Sequence, residues 1–437
     1  MSGTGITAIV PELLVVNENE VRENSCLIIE GGRIRKIDHE DRYKDYKPEF
    51  VIKGNAIAAI PSFVNAHTHI SERLLSGAGE GLKLYEWLQQ VVWPHCSKFD
   101  EDDAYAVGRL FAMECVASGV GVFNDMFVSN GSSILLNGLA RATAESGLKG
   151  LLGRGMNERD GDLAAAMKDM TAAVEKWHGY EDRVFITVSP TLIQANSEET
   201  LLKLREFAYS RKLRIHVHVA ETIDEYRWMK KNHSMTSVEY LEKIEFLDRD
   251  VMAAHLVWLG ANDMNILKKK GVSAIYNPLS NARLGDGIPP TWAMINKGIP
   301  VGLGTDGSAS SDNQDIFAAM RFASFLQRAY HCDGAIMNSK NVFAMATRIG
   351  YTILGLEGGE LKEGNTADIT LIDLHHPSLF PPNNLIAQLV MSSHPGVVKG
   401  TIVSGKTLYL DGRFSTLDKE DITLRTRETI ERLRQSE

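Results

Sequence analysis

The sequence predicts an α/β fold, namely a (β/α)8 TIM barrel with a small β-sandwich domain formed by both termini. Short strand-like runs fill residues 1–58 and recur from residue 366 onwards, and strand-like and helical segments alternate between these regions. Such alternation is typical of a parallel sheet covered by helices. We therefore predict a composite sandwich domain, with a C-terminal helix, at 1–58 and 366–437, and a catalytic barrel at 59–365.

The two terminal regions carry hairpin signals. Gly31-Gly32 separates the strand-like runs LIIE and RIRKI, and Asp411-Gly412 lies within KTLYLDGRF. Two such residues between strand formers favour a tight β-turn. Strand-rich segments at opposite ends of the chain predict one small domain closed by both termini. The last run, DITLRTRETIERLRQS, predicts a charged amphipathic helix.

Eight apolar runs in the central region predict the barrel strands. In chain order they are AIAAIPSFVNA, VGVFNDM, LKGLLGRGM, RVFITVSP, LRIHVHVA, DVMAAHLV, VSAIYNP and IPVGLGTD. Helical patterns such as GDLAAAMKDMTAAVEKW and NSEETLLKLREFAYSRK separate them. Eight strand–helix repeats favour a closed barrel over an open sheet.

Composition restricts the class of function. The 437 residues include 47 Lys and Arg against 56 Asp and Glu, and the net charge of −9 disfavours a nucleic-acid or anionic-membrane partner. A hydrophobic content of 44% allows a large core, which excludes a disordered chain. The cysteines form no CxxC pair, and the sequence shows neither a signal-peptide pattern nor an apolar run of about 18 residues. We therefore expect a cytoplasmic protein with a small-molecule partner.

Chemically active residues gather at the ends of the predicted strands. In barrels of this kind the active site lies at the C-terminal ends of the strands. Five of the eight predicted ends carry a His or an Asp. In chain order these residues are His67 with His69, Asp125, His218, His255 and Asp306.

The pair His67-Thr68-His69 indicates a metal site. Spacing of two residues along a strand places both imidazoles on one face. Alone, such a pair is equally consistent with two polar residues at a strand mouth. Together with His218 and Asp306 it forms a nitrogen and oxygen donor set that suits Zn²⁺ or Fe²⁺. The donor set contains no thiolate, which favours a catalytic site over a structural one.

Two further residues near this set predict proton transfer. Glu221 follows His218 by three residues, so it can approach the metal without binding it. Its alternative role is that of an acid at a helix N-terminus, stabilised by the helix dipole. His255 is expected to orient the attacking water, and its alternative is a core histidine. His216 points inward one layer deeper than His218, which favours a buried structural role over metal ligation.

Other residues at the mouth are candidate supports or substrate contacts. Asp125 is expected to support the mouth by hydrogen bonding, and Arg154 to grip an anionic or carbonyl group of the substrate. Trp87 and Trp93, in YEWLQQVVWP, could pack against a planar ring, although tryptophans at helical spacing often belong to the core. Thr191, at the end of the fourth predicted strand, is a further candidate substrate contact.

Four motifs in order, PSFVNAHTH, IHVHVAET, AAHLVW and VGLGTDGSASSDNQDIF, resemble the amidohydrolase superfamily over nearly the whole chain. Within it they look like the group of cytosine and guanine deaminases, S-adenosylhomocysteine and methylthioadenosine deaminases and s-triazine hydrolases. The resemblance implies His67, His69, His218 and Asp306 as ligands of one divalent metal ion per subunit. It also implies Glu221 and His255 as the proton-shuttling pair, with Asp306 holding or deprotonating the hydrolytic water.

Two departures refine what the resemblance implies. Binuclear members of the superfamily use a lysine at the end of the fourth strand, and RVFITVSPTLIQ has none there, which implies one metal ion. Adenosine-type deaminases carry a Pro-His-Ser-Pro pattern after that strand, where this chain has Pro190-Thr191-Leu192-Ile193. The missing imidazole argues against a thioadenosine or adenosylhomocysteine substrate. The NARLG segment is more similar to triazine hydrolases and oxoguanine deaminases.

These observations predict a metal-dependent aminohydrolase, a deaminase of the cyclic amidine type that acts on carbon–nitrogen bonds. Hydroxide generated at the metal, most plausibly zinc and alternatively iron, would replace the exocyclic amine of a purine, pyrimidine, pterin or triazine. One alternative is an s-triazine hydrolase that releases chloride or alkylamine, or a cyclic amide hydrolase. Another is a non-catalytic barrel. The HxE and PCxxC signature of the other zinc deaminases is absent. We expect a homodimer or homotetramer.

Overall fold

The structure is a computed structural model that describes residues 5–128, 134–158 and 162–435. It contains a parallel sheet of eight strands and a second, largely antiparallel sheet of nine strands. The predicted fold class, a barrel with a terminal β-domain, is confirmed. None of the helices in the described ranges has the length and apolar character that crossing a membrane requires.

The nine-stranded sheet is built from both ends of the chain. Its strands are β1 (Thr7–Asn17), β2 (Glu20–Arg22), β3 (Ser25–Glu30), β4 (Arg33–His39), β5 (Phe50–Pro61), β14 (Ile369–Asp373), β15 (Val398–Val403), β16 (Lys406–Leu410) and β17 (Arg413–Phe414). Strand β5 pairs with β1 in parallel and with β14 in antiparallel orientation, which joins the two termini. Both predicted hairpins form: Gly31, Gly32, Asp411 and Gly412 all have positive φ. Glycine tolerates this backbone region without the steric cost that a Cβ brings.

The barrel strands occupy the middle of the chain. They are β6 (Phe63–Thr68), β7 (Val120–Phe127), β8 (Lys149–Met156), β9 (Val184–Pro190), β10 (Ile215–Val219), β11 (Val251–His255), β12 (Ser273–Tyr276) and β13 (Val301–Leu303). They pair in chain order from β6 to β13. Hydrogen bonds just beyond β13 bring it next to β6: Asp306 N–H donates to the His67 carbonyl at 2.9 Å, and Thr305 N–H donates to Asn65 Oδ1 at 3.0 Å.

The first barrel strand begins later than the sequence analysis suggested. The segment AIAAIP at the start of the first predicted run belongs to β5. The chain changes sheets at Ser62, whose N–H donates to the Asp368 carbonyl at 3.1 Å, while Phe63 N–H donates to the Gly119 carbonyl at 3.0 Å. Both halves of the run are apolar because both sheets bury them.

Helices surround the barrel strands. The α-helices are Leu84–Trp87, Trp93–Cys96, Glu101–Ala117, Leu136–Ser146, Leu163–Trp177, Glu198–Arg211, Ile223–His233, Ser237–Lys243, Asp263–Lys270, Pro278–Arg283, Thr291–Asn296, Ile316–His331, Ser339–Ala346, Arg348–Leu354, Leu385–Met391 and Lys419–Gln435. Shorter turns of other helical types cover Glu40–Tyr46, Ile70–Leu75, Leu88–Val92, Ile193–Ala195 and Pro395–Val397. The C-terminal helix packs against the barrel helix Glu101–Ala117, where Asp421 Oδ2 lies 2.6 Å from Arg109 Nη1.

Side chains along the barrel strands alternate between the interior and the helix layer. One buried apolar cluster fills the interior and includes Val64, Leu151, Met252, Ala254 and Ile275. Their sequence neighbours, such as Leu152 and Ala253, belong to the larger cluster beneath the helices. This alternation, a consequence of the two-residue period of a strand, determines which side chains can reach the barrel mouth.

A buried ion pair connects the barrel to the terminal sheet. Lys149 Nζ lies 2.6 Å from Asp368 Oδ2, and both side chains are almost fully buried. The Tyr351 hydroxyl donates to the same oxygen at 2.9 Å, and Ser404 N–H donates to Asp368 Oδ1 at 2.7 Å. The Asp368 carboxylate is therefore fully engaged by partners from both parts of the chain.

Replacing Asp368 by Asn is expected to destabilise the protein by about 3–5 kcal/mol, because it leaves the Lys149 ammonium buried without a counter-charge. Chemical denaturation followed by fluorescence measures the shift in midpoint. The control is Asp411→Asn, which removes a carboxylate from an exposed pair with Lys399, and a surface pair contributes less than about 1 kcal/mol. Equal midpoints for the two variants would contradict the prediction.

Candidate metal centre and active site

The four predicted metal ligands meet at the mouth of the barrel. His67 and His69 lie at the end of β6, His218 on β10, and Asp306 just after β13. The ligand atoms of the three histidines all lie within 4.8 Å of one another, and so do those of His67, His255 and Asp306. None of these five side chains is more than slightly exposed. Residues far apart in the sequence thus share one buried centre.

Each histidine of the predicted ligand set is held through its Nδ1 atom. His69 Nδ1–H donates to the Met126 carbonyl at 2.6 Å, and His218 Nδ1–H donates to the Thr191 carbonyl at 2.8 Å. His67 Nδ1 lies 2.7 Å from His216 Nε2. His216 therefore contacts a predicted ligand from the layer below. These hydrogen bonds fix the ring orientations and leave the Nε2 atoms for the centre.

The donor atoms fit a divalent cation. His218 Nε2 is buried and has no hydrogen-bond partner in the described parts of the chain, and His67 Nε2 and His69 Nε2 each lie 3.2 Å from Asp306 Oδ1. Burial, together with the neighbouring imidazoles, holds the pKa of His218 well below its ordinary value. Although burial opposes ionisation of Asp306, His67 and His69 hold its pKa well below the usual range. Neutral imidazoles and an ionised carboxylate are the forms that bind a metal.

Unusual backbone conformations aim some of these side chains. Ala254 faces the barrel interior, so a regular continuation of β11 would turn His255 towards the helices. Instead His255 has a φ of +76°, and its imidazole lies in the mouth near Glu221. Asp306 has a φ of +67° and Ala220, beside Glu221, a φ of +54°. Non-glycine residues in this region carry strain of about 1–3 kcal/mol each, and such residues cluster at functional sites.

Glu221 and His255 form a proton-bearing pair beside the predicted ligands. His255 Nε2 lies 3.6 Å from Glu221 Oε1 and 4.0 Å from Asp306 Oδ2. Asn281 Nδ2 donates to His255 Nδ1 at 2.9 Å, which places the imidazole proton on Nε2. Burial lowers the pKa of His255 to about 3. Burial and the nearby Asp286 and Asp306 raise the pKa of Glu221 well above its ordinary value.

The position of Glu221 is determined by the carboxylate of Glu225. Ala220 N–H and Glu221 N–H donate to the two Glu225 oxygens at 2.8 and 3.0 Å. The following helix begins at Ile223 with Thr222 as its N-cap. Glu221 therefore precedes the helix and faces His255, whereas Asp224 and Glu225 are the acids in the first helical turn.

The predicted ligands lie at a small cavity in the mouth of the barrel. Three of the predicted substrate contacts, Trp87, Trp93 and Thr191, line it. The rest of its wall is made by His69, Glu72, Leu84, Leu88, Val128, Leu192, His218, Glu221, His255, Asp306 and Ser310. A largely apolar wall with a few converging polar groups is typical of sites for small molecules.

The prediction that Arg154 grips the substrate is corrected by the structure. Leu151 on β8 faces the barrel interior, so Arg154, three residues later, faces the helix layer. There it is 1% exposed, and its Nη1 lies 3.2 Å from Asp169 Oδ2 on the helix Leu163–Trp177. Asp125 lies at the mouth, where its Oδ1 accepts a hydrogen bond from Ile70 N–H at 2.7 Å.

Sequence reasoning missed Glu72, Asn281 and Asp286. Glu72 follows His69 by three residues, the same spacing that separates Glu221 from His218, and this parallel could have identified it. Asn281 Nδ2 also lies 3.3 Å from Asp286 Oδ2, and burial raises the pKa of Asp286 to about 7. Both residues lie in SNARLGDG, whose role in orienting His255 has no local sequence signature.

Comparisons with known proteins agree with this geometry. The profile of the amidohydrolase family matches residues 58–408. A 5′-deoxyadenosine deaminase of Methanosphaera stadtmanae is 32% identical over 95% of this chain and 96% of its own length. A 5-methylthioadenosine/S-adenosylhomocysteine deaminase of Thermococcus onnurineus is 37% identical over 91% of this chain and 92% of its own. The crystal structure of a zinc-bound adenosine deaminase from Xanthomonas campestris superimposes with a TM-score of 0.92 at 21% identity, covering 98% of both chains.

Proposed function

The chain belongs to the amidohydrolase family and is a hydrolase of carbon–nitrogen bonds, and we propose that it removes the exocyclic amine from the adenine ring of a nucleoside. Two relatives named as deaminases of adenine nucleosides match more than nine-tenths of the chain. The substrates in their names share the adenine ring and differ in the 5′ substituent. The replacement of a histidine by Thr191 argues against a thioadenosine substrate, so the proposal extends only to the shared adenine nucleoside.

The observation that carries the proposal is the position of the buried Glu221 carboxyl, which lines the cavity beside the predicted metal ligands, 3.6 Å from His255 Nε2. An amine is a poor leaving group, so its departure requires protonation of the ring and then of the amine. Burial raises the pKa of Glu221, a shift that favours the protonated form that general-acid catalysis near neutral pH requires. Glu221 would donate this proton to the ring nitrogen next to the reacting carbon.

Asp306 and His255 complete the proton transfers. The ionised Asp306 accepts a proton from the attacking water, and the proton is then passed to the departing ammonia. His255 points its Nε2–H towards the same centre and stabilises negative charge that develops on the oxygen attacking the reacting carbon. The second proton of the water returns to Glu221 when the carbonyl forms, so substrate and water give ammonia and the 6-oxo product with Asp306 and Glu221 restored.

The metal supports this chemistry. We propose a single divalent ion, zinc, held by His67, His69, His218 and Asp306. A zinc ion in such a site acts as a Lewis acid and lowers the pKa of bound water to about 7. The choice of zinc is supported by three imidazoles and one carboxylate without a thiolate. Cytoplasmic location and assembly as a homodimer or homotetramer stay predictions from the sequence.

Ammonia release tests the proposal directly. The zinc-loaded protein is expected to release one ammonia per 6-oxopurine formed from adenosine or 5′-deoxyadenosine, in an enzyme-coupled ammonia assay. Protein stripped with a chelator and then reloaded serves as the control, and its activity is expected to disappear and return. Release of chloride or alkylamine from s-triazines without ammonia from any nucleoside would contradict the proposal.

A further inference from the structure

Glu72 is a buried carboxylic acid in the cavity wall for which the proposed reaction has no role. It lies in the helical turn Ile70–Leu75 that follows the two histidines at the end of β6. Its side chain is 2% exposed and lines the same cavity as Glu221 and Asp306. A buried acid is costly unless it is hydrogen-bonded, so its retention next to a reaction centre requires an explanation.

One oxygen of Glu72 is engaged by the protein and the other is not. Ala309 N–H donates to Glu72 Oε2 at 3.4 Å, which is the one hydrogen bond to this carboxyl within the described residues. The carboxyl lies directly against Gly307, where a Cβ would clash with it. This contact fixes the carboxyl in place and leaves Oε1 for a ligand in the cavity.

The position of Glu72 indicates which part of the substrate it would contact. Gly307 immediately follows Asp306, so Glu72 lies beside the carboxylate that receives the proton of the attacking water. Glu221 lines the cavity from the segment between β10 and the helix Ile223–His233, where it faces the ring nitrogen in the proposed reaction. The amine is attached to the carbon next to that nitrogen and must lie near Asp306. The carboxyl of Glu72 is therefore on the side where the amine is bound.

We propose that Glu72 accepts a hydrogen bond from the exocyclic amine through its Oε1 atom and thereby selects amines over leaving groups without N–H, such as methoxy. This inference rests on the proposed function. A methoxy oxygen presents lone pairs to the carboxylate, so that neither group gains a hydrogen bond and both lose contact with water. Unpaired polar groups of this kind produce strong discrimination between otherwise similar substrates.

The substitution Glu72→Gln reverses the hydrogen-bonding character of this wall. Because Ala309 N–H requires an acceptor, the amide oxygen of Gln takes its place and the NH2 group faces the cavity. Gln has the same shape as Glu, so the contact with Gly307 is kept. We expect the ratio of kcat/KM for adenosine to kcat/KM for its 6-methoxypurine analogue to fall roughly 10- to 150-fold. Glu72→Met, which removes the acceptor without adding a donor, is expected to give an intermediate ratio.

The assays compare ammonia release with methanol release at pH 9. Burial raises the pKa of Glu72 to about 8, and a bound cation opposes that shift, so Glu72 is ionised at this pH. Glu145→Gln is the matched control, since Glu145 pairs with Arg109 at 3.2 Å and does not line the cavity. Its ratio is expected to match that of the unmodified protein. Metal content and unfolding temperature are measured for every variant. If Glu72→Gln does not fold, the ratio measured for Glu72→Met tests the proposal.

Two results would overturn the role of Glu72 and leave the proposed function intact. One is an unchanged ratio in both Glu72 variants. The other is an equal loss of kcat/KM for both substrates, which would mean that Glu72 only maintains the structure. Absence of ammonia release from any adenine nucleoside by the unmodified, zinc-loaded protein would instead contradict the proposed function.

Discussion

Replacing His218 by Ala is expected to remove the metal and the activity together. His218 supplies one of three imidazoles to the centre, and its Nε2 atom has no hydrogen-bond partner among the described residues. Without it, the centre loses one of its four predicted protein ligands, so its affinity for the metal should fall. Because the reaction depends on activated water, deaminase activity should fall at least about 100-fold.

Metal analysis by mass spectrometry after dialysis provides the measurement. We expect about one equivalent of zinc in the unmodified protein and less than about 0.2 equivalents in His218→Ala. His331→Ala is the matched control, because His331 is exposed at the end of the helix Ile316–His331. Full metal content in His218→Ala would show that His218 is not a ligand, and less than about 0.2 equivalents in the unmodified protein would favour the non-catalytic barrel.

The fold could be predicted because the barrel strands and the tight turns each leave a local pattern in the sequence. Barrel strands are buried on both faces, so each appears as a short apolar run between helical segments. Tight turns at Gly31-Gly32 and Asp411-Gly412 require positive φ, which those residues adopt readily. The pairing of β5 with β14 has no such local pattern, because it joins segments more than 300 residues apart. The sequence therefore predicted the terminal domain without its strand order.

The site was predictable only as far as strand periodicity holds. A period of two residues along a strand predicts that His67 shares a face with His69, and His216 with His218. The structure agrees with the prediction for both pairs. The same period predicts that Arg154 faces the helix layer, as the structure has it. Its position near a strand end, taken alone, had suggested the barrel mouth instead. For His255 the period fails, since its positive φ reverses the direction of the side chain. Strain of this kind depends on surrounding tertiary contacts such as that of Asn281.

Replacing Glu221 by Gln is expected to abolish deamination while leaving the metal in place. Gln matches Glu in shape and keeps the packing of the cavity, but it cannot transfer a proton to the ring nitrogen. General-acid catalysis contributes roughly 10²- to 10⁴-fold, so kcat should fall by about that factor with little change in KM. Glu221 is absent from both groups of converging ligand atoms, and the zinc content should therefore remain near one equivalent.

Comparing substrates with two different leaving groups makes this test more specific. Chloride departs without protonation, so a 6-chloropurine nucleoside needs no acid for the departure step, whereas adenosine needs one. In the proposed reaction Glu221 protonates the ring nitrogen before either group leaves, so we expect Glu221→Gln to reduce turnover of adenosine and of the chloro analogue by similar factors, with ammonia and chloride release measured on the same preparations. A much larger loss on adenosine than on the chloro analogue would mean that Glu221 supplies the proton of the departing amine and not that of the ring nitrogen. Loss of zinc together with activity would instead place Glu221 among the ligands and leave the proton donor to be sought at His255, 3.6 Å away.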